Sequence, residues 1–170
     1  MCHDALGHAL LVNNDIDGAE ASIRASMDIV EGLVDRDQAN SGWWRDLAGV
    51  QQSMAEVAKA RHDWPAAARW RVAAADSLQR IATDRGDNFR ARFELARELV
   101  QLGESQLRSG DFRMVAQTLR RALDVTALEP PREMREAYAE LITNAYMFLG
   151  IALNESEPAE ACLLYTSRCV

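Results

Sequence analysis

Four groups of side chains in this sequence have the types that do chemistry, and their spacing decides what each can do. Cys2, His3, Asp4 and His8 gather metal donors near the start of the chain. A metal-binding pair on a helix needs i, i+4 spacing, whereas His3 and His8 are five apart and fall on different faces; they read as surface residues. Glu136 with Glu140, and Glu155 with Glu157, pair carboxylates as general acid–base catalysis requires, but have no complementary group nearby in sequence and read as solvated faces. Arg85-Gly86-Asp87 spells an adhesion tripeptide, yet Gly and Asp between two apolar-periodic runs are turn residues first. Trp43, Trp44, Trp64 and Trp70 suit an aromatic ligand pocket or, more simply, packing between helices. No nucleophile has a base at a working spacing, and no glycine loop is built to cradle phosphate. The sequence therefore predicts no catalytic residue, no metal and no cofactor.

The elements that position these residues are helical. Only 9 Gly and 4 Pro among 170 residues leave little material for the turns of an all-β fold. The chain has 28 Ala, and 18 Arg against the single Lys59, a bias that favours helices and points to a GC-rich, bacterial gene. A net charge of −7 argues against a nucleic-acid platform, which needs a basic stripe. No apolar run approaches the ~18 residues of a membrane span, so a soluble, cytoplasmic chain without membrane contact is expected.

The chain repeats with a period of 48. Asp15, Asp63 and Asp111 each sit in a turn and precede a helix-like run, as N-caps do. The same shift aligns Leu6-Gly7, Met54-Ala55 and Leu102-Gly103, and Leu149-Gly150 follows 47 residues later. Phe93, Ala96, Leu99, Val100 and Leu107 share one helical face, as do Phe112, Val115, Ala116, Leu119, Ala122 and Leu123. The pattern predicts helices near 3–13, 16–35, 43–61, 64–84, 88–109, 112–128 and 132–154, and another from 158. The small residue of each Leu-Gly pair admits a neighbouring helix, with Ala19, Ala67 and Val115, twelve residues on, as the expected opposing contacts.

Leu-Gly, a polar helix end, Gly-Asp-Phe and a second amphipathic helix resemble the tetratricopeptide repeat (TPR), most clearly at Ser109-Gly110-Asp111-Phe112 followed by Arg120-Arg121-Ala122-Leu123. The resemblance covers about residues 3 to 161. The period exceeds the family's usual 34, and the proline that closes its second helix is missing. The resemblance implies an all-α, right-handed superhelix of antiparallel helix pairs, a TPR-like α-solenoid. Residues 1–161 then hold about 3.5 units, truncated at both ends, and the uncapped terminal helices are expected to self-associate. The implied function is a protein–protein interaction scaffold or regulatory module. Trp44-Arg45-Asp46-Leu47-Ala48 and the long period resemble a bacterial sub-group in which such arrays follow a Ser/Thr kinase or other signalling domain; this gives the alternative of a sensor region in a larger protein.

In this family the first helix of each pair lines the concave surface. That places Gln52, Glu56 and Lys59, then Arg97, Glu104 and Arg108, then Asn144, Met147 and Asn154 on a concave peptide-binding face. The face is polar and of mixed sign, suited to a protein or peptide segment of alternating charge.

Residues 162–170, Cys-Leu-Leu-Tyr-Thr-Ser-Arg-Cys-Val, differ in composition from everything before them. They resemble the translated mosaic end of a transposase-based sequencing adapter joined to its reverse complement. On this reading they are a non-native tail of a metagenomic fragment, and no redox or metal role belongs to Cys162 or Cys169.

Overall fold

A computed structural model describes residues 2–84, 89–126 and 129–156. Among them are seven α-helices and no strand: α1 (Cys2–Val12), α2 (Ile16–Arg36), α3 (Ser41–Ala60), α4 (Trp64–Asp84), α5 (Phe89–Arg108), α6 (Phe112–Val125) and α7 (Arg135–Ser156), the last preceded by a 3₁₀ turn at Arg132–Met134. The expected helices are found with ends within about two residues, save that α7 starts at Arg135, after the 3₁₀ turn, rather than at 132, and that α6 stops at Val125, where Thr126 bonds back to the Ala122 and Leu123 carbonyls. The helix expected from 158, the Arg85-Gly86-Asp87 turn and the 162–170 tail lie outside the described residues. No described helix is long and apolar enough to cross a membrane.

Three turns repeat bond for bond. At the end of α1 the Asn14 N–H donates to the Leu11 carbonyl at 3.0 Å, and the Asp15 N–H to that of Leu10 at 2.9 Å. His62 to Lys59 and Asp63 to Ala58 repeat this at 2.9 Å each, and Gly110 to Leu107 and Asp111 to Gln106 at 3.1 and 3.0 Å. This is the Schellman ending, which satisfies the last carbonyls of a helix and needs positive φ at one residue. Asn14, His62 and Gly110 supply it, with φ of 61°, 59° and 82°. The next residue is already the N-cap of the following helix. Asp15 Oδ1 accepts from Gly18 N–H at 3.0 Å, Asp63 Oδ1 from Ala66 at 2.9 Å and Asp111 Oδ1 from Met114 at 3.3 Å. One short turn thus ends one helix and starts the next, folding each pair into a hairpin.

The chain forms two compact units, residues 1–91 and 92–170. In the first, α1 packs on α2 and α3, α2 on α3, and α3 on α4. Its core interleaves Ala19, Ile23, Met27, Val30 and Val34 of α2 with Leu47, Val50, Met54 and Val57 of α3. These recur every three or four residues, the stripe a helix must bury. In the second unit Leu95, Leu99 and Leu102 of α5, Val115, Leu119 and Ala122 of α6, and Leu141, Ala145 and Leu149 of α7 are buried. The Tyr138 hydroxyl ties α7 to the end of α6 by donating to the Thr126 carbonyl at 2.8 Å.

Gly7 and Gly103 do admit a neighbouring helix, but the opposing side chain comes sixteen residues on rather than twelve, and a Cβ at Gly150 would meet nothing within 4 Å among the described residues. A Cβ at Gly7 would lie 2.4 Å from Ile23 Cγ1, and one at Gly103 would lie 2.7 Å from Leu119 Cδ2. Ala19 approaches Gly7 through its carbonyl oxygen, 3.4 Å from that Cβ position. In the α3–α4 hairpin Ala55 takes the glycine's place and Arg71 takes the place of Ile23 and Leu119.

Candidate interaction surfaces

The residues singled out for chemistry mostly have structural work. His8 Nε2 lies 3.1 Å from the Ser53 hydroxyl, linking α1 to α3. The side chains of Cys2, His3 and Asp4 lie outside the described set. Among the described residues no cluster of three or more His, Cys, Asp or Glu could hold a metal. Glu136, Glu140 and Glu155 are exposed. Trp44 donates its indole N–H to the Gln38 carbonyl at 2.8 Å and carries the Arg80 guanidinium 4.4 Å over its ring, joining the start of α3 to the end of α4. Beside them is a cavity of about 310 Å³ lined by Gln38, Ala39, Ser41, Trp44, Arg80, Ile81 and Thr83. Trp43 and Trp70 pack against the core of the first unit.

The residues expected on a concave face fall into stripes, each on one side of its own helix. On α3, Gln52, Glu56 and Lys59 are half-buried. Glu56 is held by Lys59 at 3.2 Å and by Arg71, whose side chain is only 6% exposed. Its carboxylate is therefore already engaged in joining α3 to α4. On α5, Arg97 and Arg108 are exposed, and Arg108 bonds Glu104 at 3.2 Å, one helical turn away. On α7, Asn144 is half-buried, while Met147 and Asn154 are exposed.

A second surface, not expected from the sequence, lies on roughly the opposite side of α3 at about 3.6 residues per turn. It is a trough of about 500 Å³, open to solvent, between α2 and α4. Met54, Val57 and Ala58 of α3 and Ala66, Trp70 and Ala73 of α4 provide its apolar lining; Glu20, Arg24, Arg61, Asp63 and Arg69 provide its polar lining. Both acids are committed internally. Glu20 bonds Arg24 at 2.6 Å and also Arg61, while Asp63 caps α4. The hydrogen bond from Arg24, then that from Arg61, hold the Glu20 carboxyl below its ordinary range. Glu20, followed by Asp17, pushes the Arg61 guanidinium up, so it stays charged. Arg69 is exposed and makes no hydrogen bond or ion pair among the described residues.

One sequence signal marks this trough. Moved by the 48-residue period, Arg24, Arg61, Arg69 and Trp70 become Val72, Ser109, Gln117 and Thr118. The cap aspartates, Asp63 of the trough included, hold their places in the frame; these four residues do not.

Compared with protein-family models, with the curated proteins and with the solved structures, the chain has no match.

Proposed function

We propose that this chain is a TPR-like superhelix that works as a protein–protein interaction module, a scaffold or regulatory element rather than an enzyme. The observation that supports it is the division of labour along the repeat. Positions that set turns recur every 48 residues, while arginines and a tryptophan that break the frame gather beside one trough. A repeat array whose backbone is fixed by a shared frame is free to vary its surface for a partner. The stripe on α3 in the first unit, and separately those on α5 and α7 in the second, are further partner surfaces in this reading.

The test is stoichiometric capture of a partner by the whole chain, repeated with Arg97→Ala/Arg108→Ala and with Arg69→Glu. A partner held saturably, and weakened by one of these variants, supports the reading. Absence of any saturable partner sinks it. A sensor region governing a linked Ser/Thr kinase or other signalling domain is the second reading, supported by the resemblance of Trp44-Arg45-Asp46-Leu47-Ala48. The coding DNA beside this gene separates the two.

A further inference from the structure

We propose that the trough between α2 and α4 docks a peptide segment carrying an acidic side chain next to a large apolar one. The inference rests on the interaction-module reading and names the partner chemistry of one surface within it.

Charge gives the first half. Three arginines and two acids line the trough. Glu20 pairs with two of those arginines, the second of which also holds Asp17 at 2.5 Å, and Asp63 accepts from the N-terminus of α4, which offsets part of its charge. Arg69 is left with a full charge facing solvent, on a protein whose net charge is −7. A carboxylate from a partner is the group that complements it, with geometry suited to a guanidinium fork. The pair sits at the rim, so it sets orientation and choice of partner more than affinity.

The lining gives the second half. The half-buried Trp70, Ala66 and Ala73 present an apolar surface flanked by arginines, over a floor of Met54, Val57 and Ala58 that are themselves buried. Tryptophan is among the side chains that dominate binding energy at interfaces, and Trp70 lies in this lining. An aliphatic or aromatic side chain laid on Trp70 loses water on both partners. The trough's volume falls in the range of roughly 300–1,000 Å³ that suits small ligands. Such sites bury most of a ligand, however, and this one is open to solvent, which leaves room for a segment of a longer chain.

The test uses the whole chain and a labelled peptide, Gly-Ser-Glu-Glu-Leu-Phe-Gly-Ser. One control carries Lys-Lys for Glu-Glu, another Ser-Ser for Leu-Phe, and all are followed by fluorescence anisotropy. The first peptide is expected to saturate, and each control to bind at least about tenfold more weakly. Arg69→Glu should weaken the first peptide by about tenfold, and Arg69→Ala by roughly two- to fivefold. Arg69 is exposed and mid-helix, so neither change threatens the fold; Trp70→Phe keeps the core contact and should weaken binding less than Arg69→Glu does. Equal binding of the Lys-Lys peptide, no effect of Arg69→Glu, or no saturation by any peptide overturns the assignment. Displacement of the peptide by low-millimolar inorganic phosphate would make the trough an anion site and also overturn it. The module reading fails separately, on the absence of any saturable partner.

Discussion

The hairpins α3–α4 and α5–α6 begin from the same turn and diverge about two helical turns away from it. In both, an aspartate caps the second helix, and the residue before it has positive φ. In α5–α6 the first helix then offers Gly103, and Leu119 settles on its bare backbone. In α3–α4 the corresponding residues are Ala55 and Arg71, and Arg71 runs on to the Glu56 carboxylate. One hairpin joins its helices by an apolar knob on a glycine and the other by a largely buried ion pair. Ser77 adds a second polar tie to the latter, donating to Gln51 at 2.9 Å. The backbone frame and the side chains that fill it are thus specified separately, so a repeat can retain its turn while its interior changes kind.

The sharpest break of this comparison is at Leu119, which is fully buried. Leu119→Ala should cost about 2–5 kcal/mol in urea unfolding, from lost burial and the cavity left behind. Gly103→Ala alone should cost about 1–2 kcal/mol, because overpacking outweighs the helix propensity gained. Combined with Leu119→Ala, the same Gly103→Ala should become neutral or stabilising, since its Cβ then enters the cavity. Strict additivity of the two changes would disprove the knob-on-glycine contact.

The α3–α4 hairpin should respond to charge instead. Glu56→Ala leaves the buried Arg71 without this carboxylate, and a loss of about 1–2 kcal/mol is expected, below that of a fully buried pair because Glu56 is 38% exposed. Arg71→Leu together with Glu56→Gln imports the apolar solution of the other hairpin and should come close to wild-type stability by thermal melting. A loss in the double variant larger than in Glu56→Ala would show that Arg71 fits its place better than an apolar residue can. Glu56 is consequently a poor probe of partner binding, and Arg97 and Arg108 are the better choice on the face expected to be concave.

The turns were legible because their causes are local. An aspartate before a helical run carries its cap with it, and Asp15, Asp63 and Asp111 needed no tertiary knowledge. The partner of each glycine was not legible. The sixteen-residue offset depends on how the Schellman turn aims the second helix, and periodicity alone allows the twelve-residue contact equally well. The trough was missed for another reason. Arg24 on α2, Arg61 in the turn after α3, and Arg69 and Trp70 on α4 converge only after packing, although their departure from the 48-residue frame is plain in the sequence. The expected stripes on α3, α5 and α7 were legible as helix faces, but not that Glu56 is taken up by Arg71.

The tie between α2 and the end of α3 adds a smaller, pH-dependent contrast. The folded-state pKa of Glu20 lies below its ordinary value of 4.5, so its stabilisation is present above that value and is lost as pH falls through the lower folded one. Glu20→Gln should cost about 1 kcal/mol at neutral pH, a charged hydrogen bond discounted for partial exposure. Its urea midpoint should converge on that of the wild type in acid, below pH 4.5. A gap that persists at the acid end would assign the effect to packing rather than charge.

The smallest effect returns to the turn that the hairpins share. Asn14, His62 and Gly110 occupy one backbone conformation, with φ near 60–80°, and differ in what that conformation costs them. The left-handed region crowds a Cβ against the carbonyl by about 1–2 kcal/mol; glycine escapes this, and asparagine is among the few other residues that visit it routinely. Histidine is also enriched there, but lacks the short amide by which asparagine bonds the local backbone. Glycine gives part of the gain back through the greater freedom of the unfolded chain, roughly 0.5–1 kcal/mol. His62→Gly should therefore raise stability by about 0.5–1 kcal/mol, Asn14→Gly by less, and Gly110→Ala should lower it by about 1 kcal/mol. Thermal melts of the three variants should rank in that order. His62 is exposed, so lost packing should not obscure the backbone term. If His62→Gly were destabilising, the imidazole would be contributing to the turn by a contact that outweighs its strain, and the three turns would be alike in hydrogen bonding but not in what holds them.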